Sequence, residues 1–198
     1  MDVQNTIKNL EARHYKVKYF ETVSSAITFL KSEIKNTTVG IGGCMTAKEL
    51  CLADALRESG NTIAWHWEMP GFETLKKEVL SDVFITSANA IAESGEIINI
   101  DGRGNRLAGE VFGHGNRLYI IAGTNKNCDD FDSAVSRARN VAAIENGKRF
   151  NNHTPCKADG KCHDCSSVER ICNAMLVQWG PMMDQEATVV LINGNLGY

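Results

Sequence analysis

Four cysteines in the last quarter of the chain are its clearest chemistry. Cys156, Cys162, Cys165 and Cys172 fall within seventeen residues, spaced C-x5-C-x2-C-x6-C. Two cysteines separated by two residues can chelate one centre from a tight turn, and Cys156 and Cys172 can close the site from either side. Four thiolates satisfy a tetrahedral zinc ion or an iron–sulfur cubane. Zinc usually takes two such pairs and only one is present, which tilts the reading towards a 4Fe-4S cluster over zinc. The segment is poor in apolar residues, so a metal would supply much of its ordering energy. Lys157, Lys161 and Arg170 offset thiolate charge, and His153 and His163 are spare ligands or outer donors. Reduced, unliganded thiols, or two disulfides formed on oxidation, are the plainer alternative. Cys44, Cys51 and Cys128 are scattered.

A second set of residues suits an anionic small molecule. Gly42 and Gly43 close a β-branched run and precede Cys44, where a helix start would stabilise a thiolate and offer free N–H groups; a small packed residue is the commoner role for Cys44. Gly102, Gly104, Asn105 and Arg106 form a loop whose guanidinium can grip a carboxylate or phosphate in a fork. Asn125 and Lys126 follow another strand. Each loop alone also fits an ordinary turn, but together they predict a concave site beyond strand ends. Glu93, after a buried strand and before Ser94-Gly95, is the candidate general base or nucleophile, against the plain reading of a turn glutamate. His66 reads as a strand histidine packed between Trp65 and Trp67, and His114 as a loop residue.

Apolar and charged periodicity supply the scaffold. Strands are expected over Val17–Phe20, Thr38–Ile41, Thr62–Trp67, Val83–Ser87, Glu96–Ile100, Leu118–Ala122 and Thr188–Ile192. Helices are expected over Met1–Tyr15, from Thr22 or Ser24 to Ile34, and over Thr46–Ser59, Phe72–Leu80, Arg106–Val111 and Asp129–Asn146. Their alternation predicts an α/β class with an open, mostly parallel sheet and helices on both faces. The hairpin-like stretch from Val83 to Ile100 implies an irregular or antiparallel part. The 198 residues fit one domain (1–198), with residues 151–175 as a cysteine-rich metal-binding segment within it.

Composition narrows the function. Hydrophobic residues are 43%, charged residues 23%, and the net charge is −3. No basic stripe marks a nucleic-acid partner. No apolar run approaches the roughly 18 residues of a membrane span, and Met1 to Lys18 lacks the apolar core of a signal peptide. A cytoplasmic location is expected, where stable disulfides are disfavoured.

The stretches Gly42-Gly43-Cys44-Met45-Thr46, Thr86 to Gly95, Asn99 to Arg106 and Ala122 to Lys126 resemble the LUD domain family of lactate-utilisation proteins. Asn140 to Ala143 and Thr154 to Cys172 resemble its cysteine-bearing branch. The resemblance implies a fold similar to the CoA-transferase and ribose-5-phosphate isomerase superfold. It also implies an accessory or electron-transfer role in oxidation of lactate or related acids, beside redox partner subunits. Glu93 matches an acidic position of the family. The alternative function is a free-standing enzyme on a small carboxylate, phosphate ester or thioester, using Glu93, with a structural zinc. Whether the chain forms homo-oligomers is left open.

Overall fold

A computed structural model describes residues 2–113 and 115–198; His114, expected in a loop, lies outside them. Its strands are β1 (Lys16–Phe20), β2 (Thr38–Ile41), β3 (Thr62–Ala64), β4 (Val83–Thr86), β5 (Ala90–Ala92), β6 (Ile97–Asp101), β7 (Arg117–Gly123), β8 (Asn127–Cys128), β9 (Ala174–Gln178) and β10 (Glu186–Ile192). Its helices are α1 (Val3–Ala12), α2 (Val23–Glu33), α3 (Met45–Glu49), α4 (Leu52–Arg57), α5 (Phe72–Val79), α6 (Asn105–Val111), α7 (Phe131–Arg137), α8 (Ala143–Lys148) and α9 (Pro155–Asp159). A π turn, Ala138–Ala142, joins α7 to α8.

Six strands pair in the order β1-β10-β7-β4-β2-β3, all parallel. Alternation along each strand assigns its two faces. Val83, Ile85, Tyr119, Ile121, Val190 and Ile192 pack with Ala26, Leu30, Leu52 and Leu56 of α2 and α4. Phe84, Leu118, Ile120, Val189 and Leu191 pack on the other face with Leu10 of α1 and with Ile91 and Ile97. Both faces of this sheet are covered, which is why its strands read as continuous apolar runs.

The irregular stretch after β4 becomes a second sheet, ordered β8-β5-β6-β9. Its β5–β6 and β6–β9 pairs are antiparallel, and β5–β8 is parallel. Ala90, Ala92 and Ile98 on its far face pack against Ala134 and Ala138. The small side chains let the helix approach the strands closely.

Three local expectations change. The helix expected over Thr46–Ser59 is two helices, because Cys51 sits in the left-handed region at φ 48° and breaks the ladder. The strand expected to run to Trp67 stops at Ala64, and His66 lies in a turn. The cysteine segment is not a free loop: its far end enters β9, register-paired from Ala174 opposite Asp101 to Gln178 opposite Ile97.

Glycine fixes how α6 meets the sheet. A methyl group at Gly109 would overlap the ring of Phe84, which is fully buried. Gly109→Ala is therefore expected to destabilise the fold by about 1–3 kcal/mol, read as a lower urea midpoint.

Candidate functional site

The loops following β2, β4, β6 and β7 converge on a cavity of about 690 Å³. Gly43 and Cys44 come from the first, Ser87 to Asn89 from the second, Gly102, Arg103, Asn105 and Arg106 from the third beside Asp101 at the end of β6, and Lys126 from the last. His66, Trp67, Arg149, Phe150, Arg170 and Tyr198 complete the wall. Ala142, the last residue of the π turn, and Ala143 and Asn146 of α8 also line it.

Lys126 is the central cation. It is 3% exposed. Its Nζ donates to Ser87 Oγ at 2.8 Å and Thr46 Oγ1 at 3.1 Å. Two hydroxyls leave one of the three ammonium donors for another acceptor. Burial pushes its pKa down to about 8, since desolvation disfavours the charged form. Cys44 is also buried, and burial pushes its thiol up against the pull of Lys126 and Arg106. Its sulfur accepts from the Ala47 N–H at 3.3 Å, capping the short α3. The helix start that the sequence offered to an anion is occupied by this sulfur.

Arg106 ties the loops together. It donates to Ser87 O at 3.1 Å, Ile100 O at 2.8 Å, Asn89 Oδ1 at 3.2 Å and Glu110 Oε1 at 3.2 Å. Glu110 is fully buried, and burial raises its pKa against Arg106 and its hydrogen bonds from Thr86 and Asn99. Arg137 supports the same loops, donating to Asn125 O and Asn89 O. The one carboxylate among the lining side chains, Asp101, caps α6 by accepting from Arg106 N at 3.0 Å. Lys126, Arg103, Arg106, Arg149 and Arg170 thus leave the cavity with a positive surplus. Arg149 lies 4.3 Å over the Trp67 ring, a cation–π contact.

The residues expected to bind an anion divide. Gly43, Gly102, Asn105, Arg106 and Lys126 line the cavity. Gly42 lies behind it, where a side chain would press on Arg106 Cγ at 3.0 Å. Gly104, at φ 86°, starts α6. Asn125 holds the C-terminal loop, its Oδ1 accepting from Leu196 N at 3.2 Å. Glu93 is not in the wall either. Its carboxylate accepts from Asp2 N at 3.2 Å and from Asn5 at 3.3 Å, at the start of α1.

Cys156, Cys162, Cys165 and Cys172 are half-buried and unpaired, and all four line a second cavity of about 230 Å³. Among the described residues, no three His, Cys, Asp or Glu groups are close enough to hold a single metal ion. His153 and His163, the spare ligands of the sequence reading, pair instead with Glu169 and Asp159. Arg139 Nη2 donates to Cys162 Sγ at 3.6 Å. Arg170 donates to Cys165 O at 2.7 Å and Cys172 O at 2.9 Å, and it lines both cavities.

An all-parallel six-stranded sheet flanked by helices, with a cation-lined cavity beyond its strand ends, defines an α/β domain. The chain belongs to the LUD domain family, whose pattern it matches over residues 3–192. That family is associated with lactate utilisation, which supports a general role for the chain there. Among curated proteins none matches it in sequence. In structure it is similar to a DUF162 family protein from Deinococcus radiodurans, with a TM-score of 0.55, 9% identity, and coverage of 96% of this chain and 95% of that one. At that identity the likeness establishes the fold alone. A partial likeness to eIF2B beta from Chaetomium thermophilum has a TM-score of 0.34 and 14% identity over 66% of this chain and 44% of that one; nothing rests on it. Among the described residues no helix is long and apolar enough to cross a membrane.

Proposed function

We propose that this chain is an accessory or electron-transfer protein of lactate or related organic-acid utilisation. It binds an anionic small molecule in the large cavity and an iron–sulfur cluster at Cys156, Cys162, Cys165 and Cys172. The observation that carries this reading is the pairing of the two cavities. One has Lys126 and four arginines in its wall, the other has all four clustered cysteines, and Arg170 and Ile171 belong to both.

When bound, a cluster supplies one-electron transfer. The chain supplies the setting: Ile144, Ile171 and Met175 wall the cysteine cavity, and Arg139 and Arg170 bring positive charge to the sulfurs and their backbone. Donors to the sulfurs and local charge are the levers a protein has over cluster potential. Glu93, which the alternative reading uses for chemistry, lies outside the wall of the large cavity and accepts hydrogen bonds at the start of α1.

Anaerobically purified protein is expected to be brown, to contain iron and sulfide, and to give a paramagnetic-resonance signal on reduction. Cys162→Ser is expected to lose most of that iron. Colourless protein carrying stoichiometric zinc would remove the redox role.

A further inference from the structure

Glu78 is a fully buried carboxylate that the site so far leaves unused. It sits on α5, with Oε1 2.7 Å from His66 Nδ1 and also accepting the His66 backbone N–H. Its Oε2 is buried with no hydrogen-bond partner among the described residues. The His66 side chain is 17% exposed and lines the large cavity. A side chain added at Gly43 would begin in ordinary contact with its ring, 3.6 Å from Cε1.

A carboxylate on Nδ1 fixes the imidazole's tautomer and orientation, and leaves Nε2 as the ring nitrogen for a ligand. It also stabilises an imidazolium once formed. On the same cavity, arginine forks suit a carboxylate, and the buried Lys126 ammonium suits a second oxygen on which charge develops.

We propose that His66, positioned by Glu78, is the proton-transfer group of this cavity, acting on a bound 2-oxo carboxylate. The inference rests on the anion-binding reading above. His66 Nε2 takes a proton from the carbon beside the carbonyl. The electron pair of that C–H bond moves to form the enolate, whose oxygen carries the charge next to Lys126. The imidazolium, stabilised by Glu78, returns a proton to carbon and restores the ketone. No external oxidant or reductant enters.

Pyruvate in D2O tests this, with exchange of its methyl protons followed by proton NMR and its binding by calorimetry. The wild-type chain is expected to accelerate exchange above the buffer rate. His66→Gln should lower that acceleration about 100-fold or more, while still binding pyruvate. Glu78→Gln should lower it too, and the long-range proton–nitrogen spectrum of His66 should then lose its single Nδ1–H tautomer. Wild-type protein that binds pyruvate without exchanging it, or His66→Gln exchanging at the wild-type rate, would overturn the role of His66 alone. Absence of saturable pyruvate binding would overturn that role and, with it, the anion reading for this class of ligand.

Discussion

Lys126→Met is expected to weaken binding of pyruvate or inorganic phosphate by roughly 10- to 100-fold, because a charge-assisted hydrogen bond in a buried site carries about 1.5–3 kcal/mol. Calorimetric titration of both proteins reads the effect directly. Ligand-free stability should move the other way. The buried ammonium is held by two hydroxyls, so a methionine of similar length removes a desolvation cost. The pH dependence follows from the lowered pKa of about 8. Between that value and the unfolded value of about 10.4, the unfolded chain binds more protons than the folded one. Ligand-free stability therefore rises with pH across that window. Anion affinity does the opposite, falling as the ammonium is lost above pH 8. Lys126→Met should show neither trend. An unchanged affinity in the variant would place the anion away from β7.

The sequence carries the scaffold well because its signals are short-range. Val83 to Ile85 and Leu118 to Ala122 are buried on both faces, and a fully buried parallel strand reads as an unbroken apolar run. The loops at Gly43, Gly102 and Lys126 are visible for the same reason, each lying just past such a run. What escapes is whatever depends on meeting across the fold. His66 and Glu78 are twelve residues apart, and only the turn after β3 brings them together. Arg149 comes from the end of α8 to lie over Trp67. Glu93 reads as a site residue by its place after a strand. Its neighbours Asp2 and Asn5 are about ninety residues away in sequence, and they turn it into a cap. The strand β9 follows directly on the cysteine segment, and its register with β6 is what makes it a strand.

The cysteine segment and the anion cavity share a wall, and this predicts a measurable coupling between them. A side chain at Gly102 would meet Ile171 O at 2.7 Å, so the two backbones are in direct contact. Asn173 N donates to Asp101 O at 2.9 Å, and its side chain to Gly102 O at 3.0 Å. Arg170 is pinned by the carbonyls of Cys165 and Cys172 and by Asp164 at 3.1 Å. On the proposed reading, ordering the cysteines around a metal centre would also order the neighbouring segment that carries Arg103 and Arg106. Metal-free protein, prepared by chelation, is expected to bind phosphate about tenfold more weakly than metal-loaded protein, within the usual range for coupled sites. Linkage requires the reciprocal effect: saturating phosphate must tighten metal retention by the same factor, measured by competition with a chelator. Arg170→Ala should reduce both numbers while leaving the cysteines in place, since it removes the charged side chain that lines both cavities. Equal phosphate affinity with and without metal would make the two cavities independent. Reciprocal factors that disagree would mean that chelation had damaged the fold rather than released a ligand.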